Sequence, residues 1–292
     1  MRYGALEAGG TKMIVAIGDE NGNILERASF PTLSPSETMP KMIDFFKGKE
    51  IVSLGIACFG PIDLNKESKT YGYITSTPKL EWKNYDIVGE FKKALLVPVG
   101  FDTDVNGSLL GEITWGCAKN KTDAIYLTIG TGIGGGVMTN GKLLHGMLHP
   151  EMGHMLLRPH PMDPLPQGIC PYHESCLEGL ASGPAVARRA GAAELGDLRD
   201  DDPVFTLEAN YLAQMCVNLI VTVSPEKLIL GGEMTERGFL LDLIRKETLR
   251  LLGGYVQAPE ATARIDSYIV TPELAPISVL IGAWLLGRDF AG

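Results

Sequence analysis

Short apolar blocks alternate with glycine-bearing turns from the start of the chain. Tyr3-Gly4-Ala5-Leu6 leads through Glu7-Ala8 into Gly9-Gly10-Thr11-Lys12, and 13–17 is apolar again. This pattern predicts a strand, a glycine turn and a second strand. Asp19-Glu20-Asn21-Gly22-Asn23 makes the next turn, and Ile24-Leu25 opens a third strand. The same order returns over 125–144, with a Gly130-Thr131 turn and an Asn140-Gly141 turn between apolar blocks. The Gly-Thr pair precedes the Asn-Gly pair by 11 residues in the first copy and by 10 in the second. Matched spacing of that kind marks an internal duplication of a strand–turn–strand unit, not a short-period solenoid.

The rest of the chain alternates between the two periods. Residues 51–58 predict a buried strand, and 98–101 predict a short strand that ends in Asp102-Thr103-Asp104 before a helix over 105–115. A long helix is expected over 205–223, where Leu207, Tyr211, Met215 and Leu219 follow at i+4 steps and Pro225 ends the run. A strand at 227–230 turns through Gly231-Gly232-Glu233 into a helix over 240–252. Strands and helices in this order give an α/β class. A length of 292 residues is enough for two medium domains.

Charge and cysteine usage narrow the class of partner. A net charge of −9 argues against non-specific binding to nucleic acid or to anionic membranes. Five cysteines without framework spacing suggest a reducing compartment, with thiols buried or on metal. No apolar h-region follows Arg2, Glu7 and Lys12, and the apolar run at 275–286 is too short for a bilayer. These features lead to the expectation of a cytoplasmic protein that binds neither nucleic acid nor membrane.

The segment 151–178 is the most specific part of the sequence. All five histidines lie between His145 and His173, and Cys170 and Cys176 fall in the same stretch. His154 followed by Cys170-Pro-Tyr-His173-Glu-Ser-Cys176 supplies four soft or borderline ligands, three of them at tight spacing. Zn²⁺ favours that mixture of imidazole and thiolate in a closed tetrahedral site. Five prolines between Pro159 and Pro171 forbid regular structure, so a metal would pin a loop that otherwise has little to hold it. Glu151 and Glu178 flank the ligand set and would be fixed with it.

Two further elements carry chemistry. The turns at Gly9-Gly10-Thr11 and Gly130-Thr131-Gly132-Ile133-Gly134-Gly135-Gly136 are candidate phosphate cradles, because glycine lets backbone N–H groups surround an anion. Tight hairpins look similar. Neither turn is followed by a Lys-Ser or Lys-Thr pair, and strands rather than helices follow both, so neither a P-loop nor a dinucleotide fingerprint is present. Two matching copies point to one nucleotide held between two related domains. Asp102-Thr103-Asp104-Val105-Asn106 sits between a strand and a helix. Capping the helix accounts for one carboxylate; the other can accept a hydroxyl proton, and the Asn106 amide can hold a neighbouring hydroxyl.

Taken together, EAGGTK at 7–12, GP at 60–61, DTDVN at 102–106, LTIGTGIGGGV at 127–137, EMGH at 151–154, CPYHESCLE at 170–178 and LILGGEM at 228–234 resemble the ROK family in order and spacing across essentially the whole chain. The run CPYHESCLEGLASGPA is similar to the bacterial fructokinase branch in particular. The resemblance implies duplicated actin-like ATPase (ribonuclease H-like) α/β domains with an interdomain cleft. It implies Asp104 as catalytic base, and Asn106, Glu151, His154 and Glu178 near a sugar. It places Gly10, Thr11 and Lys12 near the transferring phosphate, Thr131, Gly132, Gly134 and Gly135 on the nucleotide phosphates, and Gly231 and Gly232 against the adenosine. His173 stands where glucokinase-like members carry a cysteine, so the zinc set is His154, Cys170, His173 and Cys176. Glu7 occupies a place more often Asp, which bears on the Mg²⁺ shell, and Thr103 a place more often Asn, which bears on one sugar contact.

The resemblance therefore implies ATP-dependent phosphorylation of the 6-hydroxyl of D-fructose with Mg²⁺, by a homodimer. Mannose, glucose and N-acetylmannosamine are the alternative substrates. A sugar-responsive repressor of the same family would carry a helix-turn-helix module ahead of 1–12, and no room for one is expected here. The expected domains are 1–115 plus 276–292, and 116–275 with the zinc loop.

Overall fold

The computed structural model describes residues 1–289. The chain forms two compact units. Unit 1 comprises Met1–Gly116, Leu143–Pro150 and Leu274–Gly292, and unit 2 comprises Cys117–Lys142 and Glu151–Glu273. Positions 290–292, which the expected first domain included, lie outside the described residues.

Unit 1 is built on strands β1 (Arg2–Ala8), β2 (Lys12–Asp19), β3 (Ile24–Pro31) and β4 (Ser53–Cys58), a small pair β5 (Tyr73–Ile74) and β6 (Tyr85–Asp86), and β7 (Val99–Thr103). Its main sheet runs in the order β3-β2-β1-β4-β7. β1 pairs antiparallel with β2 and parallel with β4, which pairs parallel with β7. All six residues of β4 are buried, as a central strand covered on both faces requires. Helices α1 (Pro35–Phe46) and α2 (Ile87–Leu95) cover one face, where Leu6, Val15, Ile17, Phe46 and Phe91 share a core. Side chains of opposite parity, Tyr3, Ala5, Ile14 and Ala16, meet Leu280, Trp284 and Leu285 on the other face.

That second face is covered by α3 (Asp104–Trp115) and, near the other end of the chain, by the helix Ser278–Asp289. Small residues let the backbones approach. A Cβ on Gly282 would lie 1.9 Å from Gly107 O, and one on Gly55 would lie 1.8 Å from Ala283 O. Glu112 Oε1 accepts from Leu274 N at 2.8 Å and from Ser278 Oγ at 3.0 Å, fixing the entry into that helix.

Unit 2 repeats the plan with β8 (Ala124–Ile129), β9 (Ile133–Thr139), β10 (Lys142–Leu143), β11 (Lys227–Gly231) and β12 (Ile269–Val270). The sheet order is β10-β9-β8-β11-β12, the same sequence of strand roles as in unit 1. β8 is antiparallel to β9 and parallel to β11, and β11 is parallel to β12. The duplication seen in the turns therefore extends to both complete sheets. Helices α4 (Leu177–Ala181), α5 (Gly183–Ala190), α6 (Val204–Thr222), α7 (Gly238–Leu252) and α8 (Ile265–Tyr268) follow, and Ser278–Asp289 is α9. α6 is long and apolar enough to cross a membrane by composition, but most of it is buried in the unit 2 core against Leu127, Leu228 and Ile244.

The stretch Leu143–Pro150, expected inside the second domain, groups with unit 1. Two side-chain contacts account for this. His145 Nε2 lies 2.8 Å from Asp102 Oδ2, and His149 Nε2 accepts from Ile62 N at 3.2 Å.

Candidate active site

In unit 1 the register of the parallel strands brings the candidate groups to one edge. Ala8 stands opposite Cys58, and Cys58 opposite Thr103, so β1, β4 and β7 end level. The turn after β1 and the start of α3 both leave from that carboxyl-terminal edge, where open α/β sheets bind ligands. Thr103 caps α3: its hydroxyl accepts from Asn106 N at 3.1 Å. The cap leaves Asp104 at the first helical position, partly buried, with Oδ1 accepting from Val105 N at 2.8 Å. Asn106 is buried, and its Nδ2 donates to Asp102 Oδ1 at 2.7 Å. Asp102 and His145 were not among the residues expected from sequence. The only signal for either was the neighbouring DTDVN run and the crowding of histidines.

The first glycine turn is held by its own backbone. Gly9 N donates to Lys12 O at 3.0 Å, and Thr32 Oγ1 donates to Gly9 O at 2.7 Å. A Cβ at Gly10 would meet only Lys79 Cε, at 3.8 Å, and Thr11 and Lys12 are exposed. Glu7, one strand residue before this turn, has a buried Oε2 without a hydrogen-bond partner among the described residues. Burial raises its pKa, against the opposing pull of Lys12 and Arg27.

In unit 2 the second turn connects β8 to β9. Gly130 N donates to Gly132 O at 3.0 Å, and Gly183 N donates to Gly130 O at 2.7 Å. No atom lies within 4 Å of a Cβ built on Gly130, so the turn faces open space there. Thr131 is exposed, and Gly132 and Gly134 are half-buried. Gly135 is fully covered: its Cβ would lie 2.5 Å from Met152 Sδ. Gly231 ends β11, and Gly232 follows it with φ +91°. A Cβ there would meet Ile129 O at 2.5 Å, and one on Gly231 would meet Tyr126 Oη at 2.4 Å. Close packing against β8 alone therefore requires both glycines.

The metal-type cluster is assembled as the spacing suggested. The ligand atoms of His154, Cys170, His173 and Cys176 all lie within 4.8 Å of one another. His154 Nδ1 is 3.9 Å from Cys170 Sγ and 3.8 Å from Cys176 Sγ, and His173 Nδ1 is 3.7 Å from Cys170 Sγ. Ligands on a tetrahedral zinc at ordinary bond lengths are separated by about 3.5 Å, so this donor set fits the ion with little movement. Cys176 also caps α4, accepting from Gly179 N at 3.4 Å. Burial pushes its thiol up to about 11.

Glu178, two residues further, turns its Oε2 to the N–H of Ile133 at 2.9 Å. Glu151 is exposed at the start of a single 3₁₀ turn over Met152–His154, and it and Glu178 belong to unit 2, whereas Asp104 and Asn106 belong to unit 1. A second buried network supports the proline-rich loop. Asp163 accepts from Arg189 Nε at 2.9 Å and from Tyr211 Oη at 2.5 Å, and Tyr211 Oη accepts from His160 N at 3.0 Å. Nothing in the composition of the loop marked Asp163 for this role.

Comparison with known proteins places these features in context. Residues 3–289 match the ROK family. A fructokinase of Lactococcus lactis subsp. cremoris is 45% identical over 271 residues, which cover 92% of this chain and 91% of that protein. A fructokinase of Pediococcus pentosaceus is 43% identical over 288 residues, covering 99% and 98%. The crystal structure of a ROK hexokinase from Thermus thermophilus superposes with a TM-score of 0.81 at 25% identity, covering 99% of this chain and 98% of that one.

Proposed function

This chain belongs to the ROK family, on the duplicated actin-like ATPase fold, and from that premise we propose that it is an ATP-dependent fructokinase. It transfers the γ-phosphoryl group of ATP to the 6-hydroxyl of D-fructose. The observation that carries this reading is the full-length similarity, above 40% identity, to proteins named fructokinase. The geometry agrees with it, since Asp104 stands at the sheet edge where the first glycine turn also leaves.

Phosphoryl transfer asks a protein mainly for positioning and charge stabilisation. In this reading Asp104 orients the sugar hydroxyl and accepts its proton, and the Asn106 amide holds a neighbouring hydroxyl. Glu151, His154 and Glu178 contribute further contacts to the sugar. Gly10, Thr11 and Lys12 lie near the transferring phosphate. The N–H groups around Thr131, Gly132, Gly134 and Gly135 receive the nucleotide phosphates, and the open face at Gly130 is the room a phosphate needs. Gly231 and Gly232 face the adenosine. Mg²⁺, when bound, neutralises charge on the phosphates; the orphaned Oε2 of Glu7 is a buried acceptor suited to that cation or its water shell. Zinc held by His154, Cys170, His173 and Cys176 is structural, because four protein ligands leave no open position. His154 turns Nδ1 to the sulfurs, which leaves Nε2 for the sugar.

The same proposal includes a homodimer, on the family resemblance, and a cytoplasmic location. The location is supported by the five cysteines, none of them paired in a disulfide. ADP release measured with ATP and Mg²⁺ against fructose, mannose, glucose and N-acetylmannosamine tests the substrate. A kcat/KM highest for fructose supports the proposal, and a clear preference for another hexose overturns the substrate while keeping the kinase. Asp104→Asn should lower turnover ~10²–10⁴-fold, and unchanged turnover would remove Asp104 from the role of base.

A further inference from the structure

The buried amide of Asn106 is oriented by its surroundings. Asn106 is 1% exposed, and its Oδ1 has no hydrogen-bond partner among the described residues. Its Nδ2 is 2.7 Å from Asp102 Oδ1. An ionised carboxylate only accepts, so the NH₂ end of the amide must face Asp102 and the oxygen must face away. Asp102 Oδ1 also accepts from Thr103 N at 2.8 Å. The second oxygen, Oδ2, is left to His145, whose Nε2 lies 2.8 Å away. That side chain is 39% exposed, and Asp102 is 5% exposed. Nε2 is also 3.5 Å from Asn106 Nδ2, a pair of donors that cannot bond each other but can each donate to one carboxylate oxygen.

We propose that His145 is a positioning residue for the sugar: by donating to Asp102 it holds that carboxylate in place, and so fixes Asn106 Oδ1 as an acceptor for a sugar hydroxyl. The inference rests on the reading of the chain as a sugar kinase. Without the imidazole, Oδ2 of a nearly buried carboxylate loses its partner, and the carboxylate is free to rotate away from Asn106. The Asn106 amide is then free to turn its NH₂ outward. A hydroxyl can accept as well as donate, so the sugar is bound less well rather than excluded. The bond with Asp102 raises the His145 pKa, burial and Lys66 oppose it, and Tyr71 faces Asp102 from the loop before β5. His145 reaches this position because Leu143–Pro150 packs with unit 1, although its sequence neighbours on both sides belong to unit 2.

Steady-state kinetics of the full chain with His145→Ala and His145→Gln test the proposal, since a glutamine amide keeps an N–H for Asp102. The alanine variant should raise the KM for the sugar about tenfold, the effect of one lost hydrogen bond to a charged group. Its kcat should fall less than that, its KM for ATP should stay at the wild-type value, and the glutamine variant should recover most of the loss. A wild-type sugar KM in the alanine variant overturns the role. So does a loss spread equally over kcat and both KM values with no recovery in the glutamine variant, which marks a merely structural residue. Wild-type protein that phosphorylates no hexose overturns the kinase reading instead, and separates that failure from one confined to His145.

Discussion

Ile133 and Glu178 tie the glycine turn of unit 2 to the metal-type loop. The N–H of Ile133, first residue of β9, donates to Glu178 Oε2 at 2.9 Å, and Glu178 lies on the short helix that Cys176 caps. The candidate phosphate cradle is thereby braced by a residue two positions from Cys176, a proposed zinc ligand. Glu178→Ala should raise the KM for ATP about tenfold, because an unbraced turn holds its N–H groups less well. Kinetics with each substrate varied in turn provides the check. Because Glu178 is also proposed to contact the sugar, the KM for ATP decides: an unchanged value would show that Glu178 does not brace the turn.

Removing the proposed zinc should loosen the same region. Cys176→Ala is expected to bring the zinc content of tag-free protein, read by elemental analysis, from about one per chain to near zero. Loss of a ligand present at a hundred times its Kd lowers the melting temperature of a protein of this size by about 4–5 °C. Because burial holds the Cys176 thiol at about 11, it is protonated at neutral pH without metal. Zinc uptake should therefore release protons, and retention should weaken as the pH falls. Zinc-free wild-type protein with an unchanged melting temperature would refute a structural role.

The proline-rich loop has a second anchor, in Asp163 and Arg189, whose side chains are 0% and 1% exposed. Asp163→Ala leaves Arg189 as an uncompensated buried charge and should cost about 3–5 kcal/mol. Burial works to raise the Asp163 pKa, but hydrogen bonds from Arg189, Tyr211 and Leu165 N outweigh it, and the net direction is below 3.8. A depressed folded pKa contributes stability that is present above the unfolded value and lost as the pH falls through the folded value. The difference in stability between wild type and Asp163→Asn should thus shrink only below about pH 4, measurable by denaturant unfolding at several pH values.

Gly282 is among the tightest steric constraints in unit 1. A methyl group there would sit 1.9 Å from Gly107 O, a backbone atom that cannot rotate away. Gly282→Ala should destabilise by about 3 kcal/mol or more, at the upper end of overpacking costs. Gly48→Ala, with open space around it but φ +72°, should cost only about 1 kcal/mol. Equal melting temperatures for the two variants would contradict the contact.

Much of the fold was legible because its signals are local. The Gly-Thr and Asn-Gly turns announced β1, β2, β8 and β9, and the i+4 steps from Leu207 announced α6. The metal-type cluster was legible for the same reason, as three of its four members lie within seven residues. What escaped depends on pairings distant in sequence. His145 and Asp102 are 43 residues apart, and Asp163 and Tyr211 are 48 apart. No periodicity links such residues, and a lone histidine or aspartate in a loop has no pattern of its own. The glycines of β11 were legible as a turn, but their close approach to Ile129 O was visible only once β8 stood beside them.

The place of α9 sets an order of completion. The face of sheet β3-β2-β1-β4-β7 made by Tyr3, Ala5, Ile14 and Ala16 is closed by Leu280, Trp284 and Leu285. Every residue of unit 2 is synthesised between those two groups. As the chain emerges, the unit that begins first is the one that finishes last, and the part of its sheet that α9 covers stays open until unit 2 has been made. A nascent chain stalled before residue 278 would carry that open surface with α3 as its partial cover, so its solubility depends on whatever shields the rest of the sheet in the interval.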